Sequence, residues 1–277
     1  MIIPGLLIWD PNLVITKTNT TIAFYCLFFS RSHKITHLHV RSFIYFSCCC
    51  FFFQGYLYFQ DTMFGGSLPS KFPDGLIELD IANSMITGIL DGAAFKDLNA
   101  LRFLLMDGLQ FNSTIPTEIA ALSNLEYLFA SDSLITGDLS YMGSMSSIFE
   151  HWVDRNSGLG GTIPNFIGQL STLQSFSIAE CNFVGTIPES LGDLHLMQQM
   201  WMFSNQLTGE IPGSIGNLKF MRIFEVEGNN LSDSMPESVC ENFQTGMLKI
   251  LGADCDDGSI DVSIIPAKST TTGIERH

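Results

Sequence analysis

The sequence contains one glycine-rich stretch, GLGGTIPNFIG at residues 158–168, that looks like a phosphate-binding loop. Phosphate-binding loops use backbone amides and have the spacing GxGxxG or GxxxxGK[ST], and this stretch has neither. Its GTIP tetrapeptide at 161–164 returns at 185–188, and GEIP follows at 209–212, each 24 residues further on. The glycines therefore indicate a repeated structural unit rather than a phosphate site.

Thiols and imidazoles offer a second kind of chemistry, because a cysteine activated by a histidine can act as a nucleophile. Cys181 and His195 are the candidates for such a pair. The sequence has no cysteine and histidine spacing typical of zinc sites, and it has no HRD, DFG and VAIK set of kinase motifs. It therefore predicts a chain that is not an enzyme and that has no metal site and no cofactor.

The charge of the chain argues against nucleic acid as a partner. Its net charge is −15, and residues 55–277 hold nine basic and 27 acidic side chains, so 9 − 27 = −18. Surfaces that bind nucleic acid need lysine and arginine to neutralise phosphates. Residues 1–54 differ, with four basic side chains and one acidic side chain. We expect no nucleic acid partner, and the change in charge indicates two parts of different character.

The elements that must position any site are set by the 24-residue repeat, whose template is LxxLxLxxNxLxGxIP. Copies of the template follow one another through the body of the chain. The clearest copy consists of Met197, Met200, Met202, Asn205, Leu207, Gly209, Ile211 and Pro212. In a short strand, residues two apart face the same side, so the LxL positions predict strands with one buried face.

This template resembles the leucine-rich repeat family, in particular its plant-type subclass with the added LxGxIP segment, over residues 55–255. The resemblance implies an α/β-type solenoid, a right-handed superhelix with a concave parallel β-sheet and about eight to nine 24-residue repeats. It also implies a structural role for Cys181, which takes the asparagine position of one repeat, and it places His195 on the convex side. A hydrolase built on these two residues is therefore not expected.

The outward positions of neighbouring strands would form a continuous concave surface on which aromatic side chains are rimmed by charge. Exposed aromatic groups of this kind are typical of partner-binding surfaces. We therefore predict a non-catalytic recognition module for a protein or peptide, resembling a fragment of a receptor-like ectodomain. The alternative is a structural or cell-surface scaffold without a dedicated ligand. The predicted binding residues are Phe103, Tyr127, Phe129, His151, Arg155, Trp201 and Phe203.

In the repeat around Asp154, the sequence allows two registers, which differ in the residues that face inward. Strict spacing places Asp154 inward and leaves His151 and Val153 outward, but a buried carboxylate needs a partner or a proton. A slip of one residue would instead place Val153 inward and add a residue before Leu159. Both registers remain possible at the level of the sequence.

Residues 1–54 do not fit the repeat. The run CCCFFFQ at 48–54 is what a pyrimidine tract followed by CAG would encode, so we interpret this segment as mis-translated intron or as disordered. The alternative is a membrane anchor at 43–59, which has 17 residues without a charge and is the one membrane contact that we expect.

The end of the repeat array predicts a cap at 237–255, followed by a disordered tail at 256–277. Cys240 and Cys255 could be two buried thiols or a disulfide that closes the cap. Asn112 and Asn230 lie in N-glycosylation acceptor triplets. These features and the resemblance favour a monomer that is extracellular or membrane-tethered and faces outside, with a cytoplasmic location as the alternative.

Overall fold

The computed structural model describes residues 51–53, 55–61, 65–232 and 235–253. Its main feature is a long sheet of ten strands in which chain order equals spatial order. All neighbouring strands are parallel except the first pair, which is antiparallel. The strands are Phe51–Phe53, Tyr56–Tyr58, Glu78–Asp80, Phe103–Leu105, Tyr127–Phe129, Glu150–Trp152, Ser175–Ser177, Gln199–Trp201, Ile223–Glu225 and Ile250–Gly252.

From the strand Glu78–Asp80 onward, a short helix on the side opposite the long sheet lies between each strand of that sheet and the next. These are the 3-10 helices Gly92–Ala94, Ser140–Ser144, Asn165–Gln169, Glu189–Asp193 and Gly213–Asn217 and the α-helices Thr117–Ala120 and Glu237–Gln244. Pro164, Pro188 and Pro212 stand at the N-caps of three of these helices in extended conformation. Proline fixes φ near −65°, which suits the entry to a helix but not its interior.

The LxG part of each repeat forms short strands on the flank of the solenoid. Five of them make one sheet, namely Thr136–Gly137, Gly158–Thr162, Asn182–Gly185, Gln206–Gly209 and Asn230–Leu231. Gly65–Gly66 pairs with Met85–Ile86 in a further small sheet. Gly185 and Gly209 have φ of 78° and 76°, a left-handed conformation that glycine adopts without a Cβ clash. This requirement explains the recurrent glycine of the template.

The core fills the space between the long sheet and the helices. Phe176, Met200 and Phe224, the middle residues of consecutive strands, are fully buried, as the template predicts. The asparagine position forms a ladder, because the Asn205 amide oxygen accepts from the Phe183 N–H and its amide group donates to Ile178 O. Each such side chain bonds its own repeat and the preceding one. The predicted α/β solenoid of parallel strands is confirmed.

The two ends of the array are described in part. Phe51–Phe53 extends the sheet antiparallel to Tyr56–Tyr58, and Leu57 is buried in the core. Within the described ranges, no helix combines the length and the apolar composition needed to cross a bilayer. Residues 1–50, which hold most of the predicted intron segment and the first part of the predicted anchor, lie outside the described residues. So does the predicted disordered tail at 256–277.

The predicted cap contains a helix and the last strand of the long sheet. Cys240 is buried in the helix Glu237–Gln244 and is disulfide-bonded. Cys255 lies outside the described residues, so the pairing of Cys240 with Cys255 stays a prediction.

Candidate ligand-binding face

Aromatic side chains cross the outward face of the long sheet from strand to strand. We call this set, Phe103, Tyr127, Phe129, Phe149, Trp152 and Trp201, the aromatic track. The Phe103 and Tyr127 rings stack with centroids 4.5 Å apart and an interplanar angle of 6°. The Phe129 and Trp152 rings stack at 4.6 Å, and the Tyr127 ring meets the Phe129 ring edge-on at 6.4 Å. The rings therefore form one continuous apolar surface.

Two tryptophans close over the strand Ser175–Ser177. The Trp152 and Trp201 rings meet edge to face with centroids 5.9 Å apart, although a whole strand separates their backbones. The Trp152 Nε1–H donates to Ser175 Oγ at 2.7 Å, which fixes the orientation of the indole. Because serine side chains are small, the rings can lean together, and Ser175 and Ser177 are buried.

The structure corrects one predicted binding residue. His151 does not face outward but is fully buried at a leucine position of its repeat. The reason is the slip of one residue, since Phe129 pairs with Trp152 only 23 residues later. Val153 is buried as well, so the slipped register is confirmed and the strict register is wrong.

The same slip places on the outward face a residue that strict spacing predicts to be inward. Trp152 joins the exposed face, where it links Phe129 to Trp201. The signal available in the sequence was the carboxylate of Asp154, whose burial would be costly. Once Asp154 is placed outward, Trp152 must also be outward, because residues two apart in a strand share a face.

The other predicted residues lie on or beside the face. Phe103, Tyr127, Phe129 and Trp201 are half-buried members of the aromatic track, and Phe203 is half-buried two residues beyond Trp201. Arg155 is exposed just after its strand, with Nη1 2.8 Å from Asp154 Oδ2. Their role in binding stays a prediction.

Carboxylates border the aromatic track and are partly dehydrated. Burial raises the pKa of Glu150, and burial followed by the neighbouring charge of Glu227 raises the pKa of Glu225. Burial, followed by the charge of Glu150, also raises the pKa of the Tyr127 hydroxyl. The face is thus apolar in its middle and negatively charged at its borders.

His151 and Cys181 are buried behind the sheet. Burial lowers the pKa of His151 to about 3 and raises the pKa of the Cys181 thiol to about 12. Both groups are therefore neutral near pH 7, and a thiol rather than a thiolate is a poor nucleophile. Among the described residues, no group of three or more histidine, cysteine, aspartate or glutamate side chains could hold a metal ion.

The two glycosylation acceptors are accessible. Asn112 is exposed next to Phe111, and Asn230 is exposed in the last strand of the flank sheet. Both positions are compatible with modification, and their glycosylation stays a prediction.

Comparison with known proteins identifies the repeat and its structural relatives. A family profile described as Leucine Rich Repeat matches residues 172–194. No curated protein sequence matches the chain. Among solved structures, the Arabidopsis receptor kinase HAESA in complex with the peptide hormone IDA and the co-receptor SERK1 is 26% identical, with a TM-score of 0.64. The alignment covers 72% of this chain and 38% of the HAESA chain.

Two further structures show the same similarity. The HAESA leucine-rich repeat ectodomain from Arabidopsis, in complex with an N-terminally extended IDA peptide, is 29% identical with a TM-score of 0.62, over 65% of this chain and 31% of that one. The PEPR1–AtPEP1 structure is 26% identical with a TM-score of 0.60, over 64% and 25%. The chain thus matches only a quarter to two fifths of these larger chains.

Proposed function

Because the chain is a plant-type leucine-rich repeat protein that resembles receptor ectodomains, we propose that it is a non-catalytic recognition module. It binds a protein or peptide on the outward face of the long sheet, which is the concave face of this fold. The observation that carries the proposal is the aromatic track, a continuous surface of half-buried rings. The HAESA structures contain a bound peptide hormone, which supports a peptide as the class of ligand.

Aromatic side chains on a sheet can also serve only to stabilise the strands, so the arrangement of the rings matters. Trp152 is held by Ser175 and leans towards Trp201 across an intervening strand, which preorganises two large rings. Tryptophan and tyrosine dominate the energetics of protein interfaces because they offer a large apolar area at low entropic cost. Two preorganised rings of this size therefore favour a ligand-binding surface over a purely structural one.

We further propose that the chain functions outside the cell. The exposed acceptors Asn112 and Asn230 and the disulfide-bonded Cys240 support an oxidising, secretory environment. The similar HAESA structure is described as an ectodomain, which supports the same location. The chemistry described above supports the absence of catalysis, because Cys181 and His151 are both buried and neutral.

The test is selection from a phage-displayed library of random peptides on the immobilised full chain. We expect enriched peptides to bind the wild type and a Phe220→Ala control, whose ring is exposed outside the long sheet. A Trp152→Ala, Trp201→Ala double variant should bind them at least about tenfold more weakly, as for the loss of two interface anchors. Circular dichroism would verify that all three proteins are folded.

Equal binding by the double tryptophan variant would contradict the proposal. So would a selection that enriches no peptide at all, which would favour the structural scaffold.

A further inference from the structure

Carboxylates outnumber cations on the outward face from the sixth strand of the long sheet onward. The carboxylates there are Glu150, Asp154, Glu180, Glu225 and Glu227. Among the described cations of this region, Arg155 already forms an ion pair with Asp154. Arg222 and Lys249 stand just before the last two strands, in the same register row as Phe149. Elsewhere in the described chain, no lysine, arginine or histidine lies within ion-pair distance of Glu180, Glu225 or Glu227.

The sheet register places two rings of this region, those of Trp201 and Phe203, beside carboxylates. Trp201 pairs with Glu225 on the next strand. The Ser204 N–H donates to Glu227 O at 2.8 Å, which continues this register and aligns Phe203 with Glu227. Neighbouring strands are about 4.8 Å apart, so Trp201 and Phe203 each have a carboxylate within one strand spacing.

We propose that the ligand is a basic peptide segment, and that an arginine side chain of this segment stacks on Trp201 while it donates hydrogen bonds to Glu225 and Glu227. The inference rests on the proposed function, because it uses the same face. Arginine suits this pairing better than lysine, since its planar guanidinium can stack on a ring and donate in its own plane.

The environment of the Glu225 and Glu227 carboxylates favours binding of a cation. Partial burial raises the pKa of both Glu225 and Glu227, which means that their charged forms lack full hydration. Gly252, on the last strand, leaves room for the Glu227 side chain, since a Cβ at position 252 would lie 2.0 Å from Glu227 Oε2. The carboxylate of Glu227 therefore occupies space that any other residue at position 252 would fill. An arriving guanidinium would replace the missing hydration with charge-assisted hydrogen bonds.

The overall charge selects the class of ligand. A net charge of −15 repels polyanions and attracts basic peptides over distances up to about the Debye length of 8–10 Å. The alternating aromatic and carboxylate positions match a segment in which apolar and basic side chains are mixed.

The test uses a fluorescein-labelled hexapeptide of alternating leucine and arginine and the same peptide with citrulline, the neutral isostere, in place of arginine. Titration of the full chain should show the arginine peptide binding at least about tenfold more tightly, as for one charge-assisted hydrogen bond. A Glu225→Gln, Glu227→Gln variant should lose this preference. The matched control is Glu189→Gln, Glu210→Gln, which removes two exposed carboxylates outside the long sheet and should keep the preference.

Equal affinity for the two peptides, or equal loss in both glutamine variants, would overturn the inference. The phage selection separates this failure from failure of the proposed function. Neutral or acidic peptides that need Trp152 and Trp201 would leave the function standing and remove the basic ligand. Absence of any tryptophan-dependent peptide would remove both.

Discussion

At the scale of the residue, the most unusual feature is the histidine in the core. The His151 Nε2 lies 2.8 Å from the Tyr141 hydroxyl oxygen, and both groups are buried. The His151 Nδ1 is buried without a hydrogen-bond partner among the described residues. His151 stands at the inward strand position that Leu104 and Leu128 fill in the two preceding strands, so it introduces a polar group at a position that is apolar there.

We expect the pair to make the fold sensitive to acid. The pKa of His151 is lowered from 6.5 to about 3 in the fold, so between these values the unfolded chain binds the proton more readily. The contribution of neutral His151 to the free energy of unfolding is therefore complete above about pH 6.5. It decreases as the pH falls towards 3, by up to about 1.4 kcal/mol per pH unit. Urea unfolding at pH 7 and pH 4.5 measures this loss.

The matched comparison is a Tyr141→Phe, His151→Leu double variant, which removes both polar groups and should lose less stability between the two pH values. A His195→Gln control changes an exposed imidazole and should behave as the wild type does. Glu150, Glu225 and Glu227 have raised pKa values and act with the opposite sign, but they are common to all three proteins. Parallel loss in wild type and double variant would refute the assignment.

At the scale of the element, the helices opposite the long sheet pack closely because glycine and serine face one another. The Ser190 hydroxyl donates to Asn165 O, the Ser214 hydroxyl to Glu189 O and the Ser238 hydroxyl to Gly213 O. Gly168, Gly192 and Gly216 lie against these serines, where a Cβ would come within 2.1–2.5 Å of the next repeat. The glycine of each IG pair is thus a spacing requirement between helices.

Two glycines of neighbouring helices provide a direct test. A Cβ at Gly192 would lie 2.5 Å from both the Cβ and the carbonyl oxygen of Ser214, whereas a Cβ at Gly213 would meet nothing within 4 Å. We expect Gly192→Ala to lower the free energy of unfolding by about 1–3 kcal/mol through overpacking. Gly213→Ala should leave it unchanged or raise it by up to about 1 kcal/mol. Similar melting temperatures for the two variants would show that the helices can shift apart.

How far the sequence predicts these elements depends on what each position requires. Inward positions require only an apolar side chain of suitable size, so Met200 and Phe224 are recognised from spacing alone. The asparagine position tolerates substitutes, since the Ser133 hydroxyl accepts from Leu109 N–H and donates to Met106 O in a repeat without asparagine. Strict spacing gave the wrong direction for His151. The repeat before it has 23 residues, whereas its neighbours have 24 and 25, and this difference changes which side chains face outward.

The aromatic track was predicted only in part for the same reason. Phe103, Tyr127 and Phe129 lie in regular repeats, and their outward direction follows from the template. The contact between Trp152 and Trp201 depends on both the slip and the small side chain of Ser177 between them. Contacts between side chains on non-adjacent strands have no period, so spacing cannot reveal them.

At the scale of the whole molecule, each repeat pairs only with its neighbours, so stability is divided into local contributions. Asn156 is fully buried, and its amide oxygen accepts from the Ser133 and Ile135 N–H groups. Asn229 performs the same task further along the chain, where its amide oxygen accepts from the Leu207 N–H.

We expect damage to one repeat to remain near that repeat. Asn156→Ala leaves buried amides without acceptors, at a cost of at least about 2 kcal/mol, and should speed hydrogen exchange at Ser133 and Ile135. Exchange in the strand Ile223–Glu225 should stay unchanged. Asn229→Ala should give the reciprocal pattern, with faster exchange at Leu207 and no change at Ser133. A uniform increase along the chain would show that the repeats unfold as one unit.

The strand spacing of the ten-strand sheet also determines which side-chain spacing a ligand needs if it lies across the strands. Its strands are about 4.8 Å apart, whereas side chains on one face of an extended peptide repeat about every 6.7 Å, so the two series are out of step at most positions. They nearly coincide after three strand intervals and four residues, at about 14 and 13 Å. Phe129 and Trp201 are three strands apart. A ligand that uses both rings should therefore carry its two anchoring side chains four residues apart, and a spacing of two would engage only one ring.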